Sequence, residues 1–152
     1  MVDCKSVSTP MELNFKKLYG NAAEPVLANL TEYRQLVGAL MFLVNSRPDV
    51  CFAMNTLSQH MGDPHHIHWI GAKSLLRYLR GTINHGLRYT AGSFRLHGYT
   101  DAYWANSVVD RKSTFVCCFT LGSASISWMS RKQKSVALRI AEAEYIVASM
   151  AC

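Results

Sequence analysis

The sequence lacks several features that would narrow its class at once. It has no C-x-x-C pair, and its five cysteines (Cys4, Cys51, Cys117, Cys118 and Cys152) are odd in number and scattered. That usage argues against a zinc site or a disulfide framework and suits a reduced, intracellular protein. It has no apolar run long enough for a bilayer. The longest, Leu36 to Val44, falls well short of the ~20 residues a spanning helix needs, so no membrane association is expected. The opening residues, Met1-Val2-Asp3-Cys4-Lys5-Ser6, carry none of the apolar core of a secretory signal. Acidic residues are in deficit, 10 Asp and Glu against 16 Lys and Arg, for a net charge of +6. That balance suits a polyanionic partner such as nucleic acid, and equally an ordinary basic surface. Hydrophobic residues make up 49% of the chain, enough to build a core and too many for a disordered segment.

Residues 1–30 are polar and broken by Pro10, Gly20 and Pro25, which predicts a poorly ordered lead-in. Thr31 offers an N-cap, and Tyr33, Leu36, Val37, Leu40 and Val44 then follow at helical spacing. Pro48 suits the first turn of a second helix carrying Phe52, Ala53, Thr56 and Leu57. Asp63-Pro64 signals a third, running to about Arg80, with Ile67, Ile70, Leu75, Leu76 and Leu79 on its apolar side. Arg77 and Arg80 complement the dipole of its last turn, and Gly81 supplies a left-handed stop. Beyond residue 86 the period changes to two. Leu87-Arg88-Tyr89 begins extended structure, and Phe94 to Asp101, Ser113 to Leu121 and Ala124 to Met129 read as strands. From Val136 the pattern returns to helix, with Ala141, Tyr145 and Ala148 on one side.

Chemistry points to carboxylates on two elements. Asp101 ends a strand that would hold it rigidly, and Glu142 and Glu144 lie on a helix able to cross that sheet. Two-metal nucleases need several carboxylates converging on Mg²⁺ ions roughly 4 Å apart. Spacing alone leaves open that these are simply exposed acids.

Seven stretches, in order, sharpen the reading. Tyr33-Arg34-x-Leu36-Val37-Gly38, Arg47-Pro48-Asp49 and Leu76-Arg77-Tyr78-Leu79-Arg80-Gly81-Thr82 resemble the close of copia-family reverse transcriptases. Gly98-Tyr99-Thr100-Asp101-Ala102-x-Trp104-Ala105, Asp110-Arg111-Lys112-Ser113-Thr114, Ile126-Ser127-Trp128 with Lys132-Gln133, and Ala141-Glu142-Ala143-Glu144-Tyr145 resemble that family's ribonuclease H domain. The resemblance runs from about Ser8 to Met150. It implies that Asp101 and Glu144 are the catalytic, Mg²⁺-binding positions, with Glu142 a neighbour, and that an RNA–DNA hybrid is the partner. Arg111, Lys112, Arg131, Lys132 and Lys134 could contact its phosphates, with Tyr99, Tyr103 and Trp104 nearby.

Departures from the family pattern predict an inactive, vestigial site. Asn106 and the pair Arg139-Ile140 replace the residues usual in the family, and the third and fourth acidic groups would fall beyond Cys152. Mg²⁺ demands near-octahedral order, which two carboxylates do not supply. Asp101's strand, central in the family's sheet, would lie at an open edge here.

A second resemblance concerns Arg77-Tyr78-Leu79-Arg80, which is similar to the Arg-x-Leu-Arg motif of secreted oomycete effectors that act inside plant host cells. It implies an alternative: secretion, a location in the host cytoplasm or nucleus, and a plant host protein as partner. His65, His66 and His68 lack companion metal ligands and read as a solvated first turn.

The fold class expected is α+β. A lead-in over 1–30 precedes a helical region over 31–82 related to the reverse-transcriptase end. An incomplete ribonuclease H-like unit over 83–152 follows, with a three-stranded antiparallel sheet and one helix. The expected function is that of a catalytically incomplete, retrotransposon-derived fragment.

Overall fold

The computed structural model describes residues 4–12, 29–92, 94–105, 107 and 110–151. Much of the expected lead-in, residues 1–3 and 13–28, lies outside the described residues. The chain divides into two compact units, Met1–Gly86 and Leu87–Cys152. The first is helical and the second is a sheet with one helix, an α+β architecture with three of the four described α-helices in the N-terminal unit.

In the first unit, α1 spans Leu30–Met41, α2 Cys51–Ser58 and α3 His66–Gly81. Short 3-10 turns at Phe42–Asn45 and Pro48–Val50 join α1 to α2. The N-cap of α1 is Asn29, whose side chain accepts from the Glu32 N–H at 3.2 Å, so the helix starts before the expected Thr31. The N-cap of α3 is His65, two residues past the Asp63 signal. Tyr33, Val37 and Leu40 pack with Val50, Ala53, Met54, Leu57, Ala72, Leu75 and Tyr78 to form the core. The Tyr33 hydroxyl donates to the Leu57 carbonyl at 2.8 Å, and Arg34 Nε donates to the Met61 carbonyl at 2.8 Å. Two adjacent residues of α1 thus close off the far end of α2. Phe52 and Ile70, expected inside, are exposed, and small residues of α3, Gly71 and Ala72, take the buried places.

The expected left-handed stop at Gly81 is not used. Among the described residues Gly122 is the glycine with positive φ, whereas α3 ends on Thr82 at φ −122°. The Thr82 N–H donates to the Tyr78 and Leu79 carbonyls, and its hydroxyl donates to the Tyr78 carbonyl.

In the second unit, β1 (Leu96–Tyr103), β2 (Thr114–Leu121) and β3 (Ala124–Lys132) form an antiparallel sheet in the order β1-β2-β3. Leu87-Arg88-Tyr89 is not a strand. It is tied down instead by the Tyr89 hydroxyl, which donates to the Ser125 carbonyl at 2.9 Å. Asp101 pairs with Val116, and Ala102 with Phe115. A register shift lies between Phe119 and Thr120. The helix α4, Ile140–Ala151, packs mainly on β1. Its buried face is Ala143 and Val147, the latter against Phe115, Cys117 and Ala102. Ala141, Tyr145 and Ala148, which share one side of the helix, face solvent, and Tyr145 is 77% exposed. No helix among the described residues is long and apolar enough to cross a membrane.

Candidate functional site

Strand alternation decides where Asp101 lies. Ala102 packs on the cluster beneath α4, so Asp101 falls on the opposite face of β1 with Tyr99 and Tyr103. All three are exposed. Glu144 follows the buried Ala143 on α4 and is also exposed. Asp101 thus lies on the sheet face away from α4, which carries Glu144, and neither carboxylate is buried. The described residues hold no group of three or more His, Cys, Asp or Glu placed to bind a metal ion. Asp101 and Glu144 alone do not fit a Mg²⁺ cage, which needs more oxygen ligands held in octahedral order.

The neighbouring motif residues have structural partners. Trp104 Nε1 donates to the Ala137 carbonyl at 3.0 Å. Buried Ser113 accepts the Ala105 N–H on its hydroxyl at 3.1 Å, and its carbonyl takes the Gln133 N–H at 2.8 Å. Gln133, also buried, donates through Nε2 to the Ala143 carbonyl at 3.0 Å. The end of β1, the start of β2, the end of β3 and the first turn of α4 are thereby pinned together, and the residue beside Glu144 is one of the fixed points.

The turn before β2 holds a second fixed point. Arg111 adopts φ 56°, and Asp110 reaches back to Lys132 at 3.0 Å. Burial works against a charge on Asp110. The Ser107 hydroxyl, the Lys132 ammonium and the Lys112 N–H outweigh it and hold the carboxyl down at about 2.

In the helical unit, Arg47-Pro48-Asp49 forms a network. Arg47 donates to both carboxylate oxygens of Asp49, at 2.9 and 2.6 Å, in the bidentate geometry that guanidinium favours. It also donates to the Thr82 carbonyl at 3.1 Å and hydroxyl at 2.8 Å. The Tyr78 hydroxyl donates to the same carboxylate at 2.7 Å. Hydrogen bonding from Arg47 lowers the Asp49 pKa, burial opposes it, and Tyr78 adds to the lowering. Burial, with the Asp49 carboxylate alongside, raises that of Tyr78.

The Arg-x-Leu-Arg tetrad is engaged within the chain. Tyr78 belongs to the Asp49 network, and Leu79 packs against the helical core. Arg77 Nε donates to the Lys5 carbonyl at 2.7 Å, and Arg80 Nη1 donates to the Cys4 carbonyl.

Nor is the histidine group a solvated turn throughout. His68 is 4% exposed, and its ring stacks on His60 with centroids 3.9 Å apart. Its Nδ1 accepts the His65 N–H at 2.8 Å, completing the start of α3. Burial pushes the His68 pKa down to about 4, helped by His60 and His65 and opposed by Asp63. The sequence signal for this role is the three-residue spacing of a capping pair, met here by His65 and His68.

Comparison with known proteins places these features. The chain is 42% identical over 146 residues to the retrovirus-related Pol polyprotein from transposon RE2 of Arabidopsis thaliana, covering 95% of this chain and 10% of that protein. It is 44% identical over 147 residues to the corresponding polyprotein from transposon RE1 of the same plant, with 95% and 10% covered. The chain thus spans about a tenth of the length of these polyproteins. It is also 46% identical over 121 residues to secreted RxLR effector protein 161 of Plasmopara viticola, covering 78% of this chain and 85% of that protein. No protein-family model and no solved structure matches. The chain belongs to the family of Pol polyproteins from copia-type retrotransposons, and it is a transposon-derived fragment.

Proposed function

We propose that this segment is a catalytically incomplete, ribonuclease H-like piece of a copia-type Pol that acts without nuclease chemistry of its own. One observation carries the reading: Asp101 and Glu144 are both exposed, and the described residues hold no group of three or more metal-binding side chains that includes either. Mg²⁺ would bind usefully only where further carboxylates complete the set. What the segment retains is a scaffold, pinned by Trp104, Ser113 and Gln133, that holds the two family positions in place. An intracellular location and an RNA–DNA hybrid as partner fit the reading. Arg111, Arg131 and Lys134 are exposed for phosphate contact, so hybrid binding should weaken steeply with salt. Incubation of the purified chain with a hybrid and Mg²⁺ should release no product. Cleavage that disappears in Asp101→Asn or Glu144→Gln would overturn the proposal.

The likeness to secreted RxLR effector protein 161 supports a second reading. In it the fragment is exported and acts inside plant host cells on a host protein, suppressing defence or cell death. A cell-death suppression assay in plant tissue, with Arg77→Ala and Arg80→Ala beside the unaltered chain, separates the tetrad from the rest. Suppression that is unchanged by both substitutions removes the motif from the explanation.

A further inference from the structure

We propose that Arg77 and Arg80 anchor an N-terminal strap, holding residues 4–12 along the C-terminal half of α3, so that the strap is released as one piece when the two guanidinium groups let go. The inference stands apart from both functional readings above.

The two arginines lie three residues apart and so project from one side of α3. They donate to the carbonyls of consecutive residues, Arg77 to Lys5 and Arg80 to Cys4. Arg80 Nη1 also lies 3.7 Å from the Cys4 sulfur. Charged donors make stronger hydrogen bonds than neutral ones, and backbone carbonyls are acceptors that any extended segment presents. Apolar contact continues the attachment, since Val7 and Met11 pack against the helical core.

Gly81 supplies an independent observation. A Cβ built there would lie 2.9 Å from the Ser6 Cβ, closer than side chains approach. Since Gly81 is not used for a left-handed stop, the close passage of the strap is what calls for a glycine at this place. The strap is nevertheless not flush with the helix. A cavity of about 680 Å³ opens between Ser6, Thr9 and Glu12 on one side and Ser74, Thr82 and His85 on the other. Among the described residues the attachment has the two guanidinium groups at one end and the apolar pair at the other. Lifting the strap frees both arginines together, while Tyr78 and Leu79 stay inside the helical unit.

The Lys5 carbonyl held by Arg77 belongs to the Lys5–Ser6 peptide bond, a trypsin site. Timed trypsin digestion of the full chain, followed by mass spectrometry, reads strap release at that bond. Cleavage after Lys5 should be on the order of tenfold faster in Arg77→Ala/Arg80→Ala than in the unaltered chain, since each charged hydrogen bond is modest in net strength. Arg77→Lys/Arg80→Lys should fall between, because lysine keeps the charge and a donor but lacks the planar guanidinium whose fixed geometry meets these carbonyls. Gly81→Val keeps both arginines and should release the strap through steric conflict alone. Equal cleavage rates in the unaltered chain and the double alanine variant, at unchanged helicity, would overturn the proposal. If the double alanine variant loses helicity, Gly81→Val decides: faster cleavage after Lys5 supports the strap, and an unchanged rate overturns it.

Discussion

Replacing Asp49 with alanine removes the hub of the Arg47–Asp49–Tyr78 network. The carboxylate accepts two hydrogen bonds from Arg47 and one from Tyr78, with side chains 11% exposed for Arg47 and 33% for Asp49. Breaking a fully buried ion pair costs about 3–5 kcal/mol, and an exposed pair about 0–1 kcal/mol. This pair lies between those cases. Arg47 also keeps the Thr82 carbonyl and hydroxyl as acceptors, so its charge is not stranded. The expected loss is therefore about 2 kcal/mol at neutral pH. The pH dependence has a definite sign. Because the folded-state pKa of Asp49 is depressed below 3.8, its contribution is fully present above that value and is lost as pH falls through the folded-state value. The gap between the unaltered chain and Asp49→Ala should therefore narrow in acid. Hydrogen exchange of the backbone amides of α2 and α3, which reports on the helical unit alone, measures it. A gap below about 0.5 kcal/mol at neutral pH, or one that does not shrink in acid, would refute the assignment of Asp49 as a stabilising hub.

Two further outcomes follow from the same physics. His68 has a folded-state pKa of about 4 against 6.5 for the free side chain, so the unfolded chain takes up its proton first. The stability it supports is complete above pH 6.5 and declines as pH falls toward 4, by about 2–3 kcal/mol, and exchange of α3 amides across that range should lose the dependence in His68→Gln. In Gln133→Ala the Ala143 carbonyl loses its side-chain donor, so α4 amides should exchange faster, for a cost of about 1–3 kcal/mol. Unaltered α4 exchange would show that the helix is held without this pin.

The sequence revealed element types more readily than it revealed which side of an element is buried. The strands announced themselves because a period of two leaves few alternatives, and β1 to β3 fall close to the expected stretches. In α4 the sequence does not decide which side is buried. Ala141, Tyr145 and Ala148 form an apolar stripe as good as Ala143 and Val147, and only the β1 surface, with its small Ala102 and flanking Phe115, selects between them. In α3 the bulky Ile70 was an obvious choice for the core. Close helix packing took Gly71 and Ala72 instead. Gly81 was read through local rules of helix ends, whereas its reason is the long-range passage of Ser6, which no local pattern encodes. At the candidate site the motif identified Asp101 and Glu144 as positions. The pinning roles of Trp104, Ser113 and Gln133 depend on which carbonyls and amides the fold brings to them, and that is tertiary information.

The outer margin of β1 has a practical consequence for handling the protein. Among the described residues strand β1 pairs on one side only, with β2, so its other side presents amide and carbonyl groups to whatever extended backbone arrives. Charge on such a strand discourages copies of the chain from stacking there, and Asp101 is the carboxylate that β1 carries. Asp101→Asn, made to interrogate catalysis, therefore also removes a guard against self-association. A preparation of that variant has to be shown monodisperse before any change in its nucleic-acid behaviour is credited to chemistry.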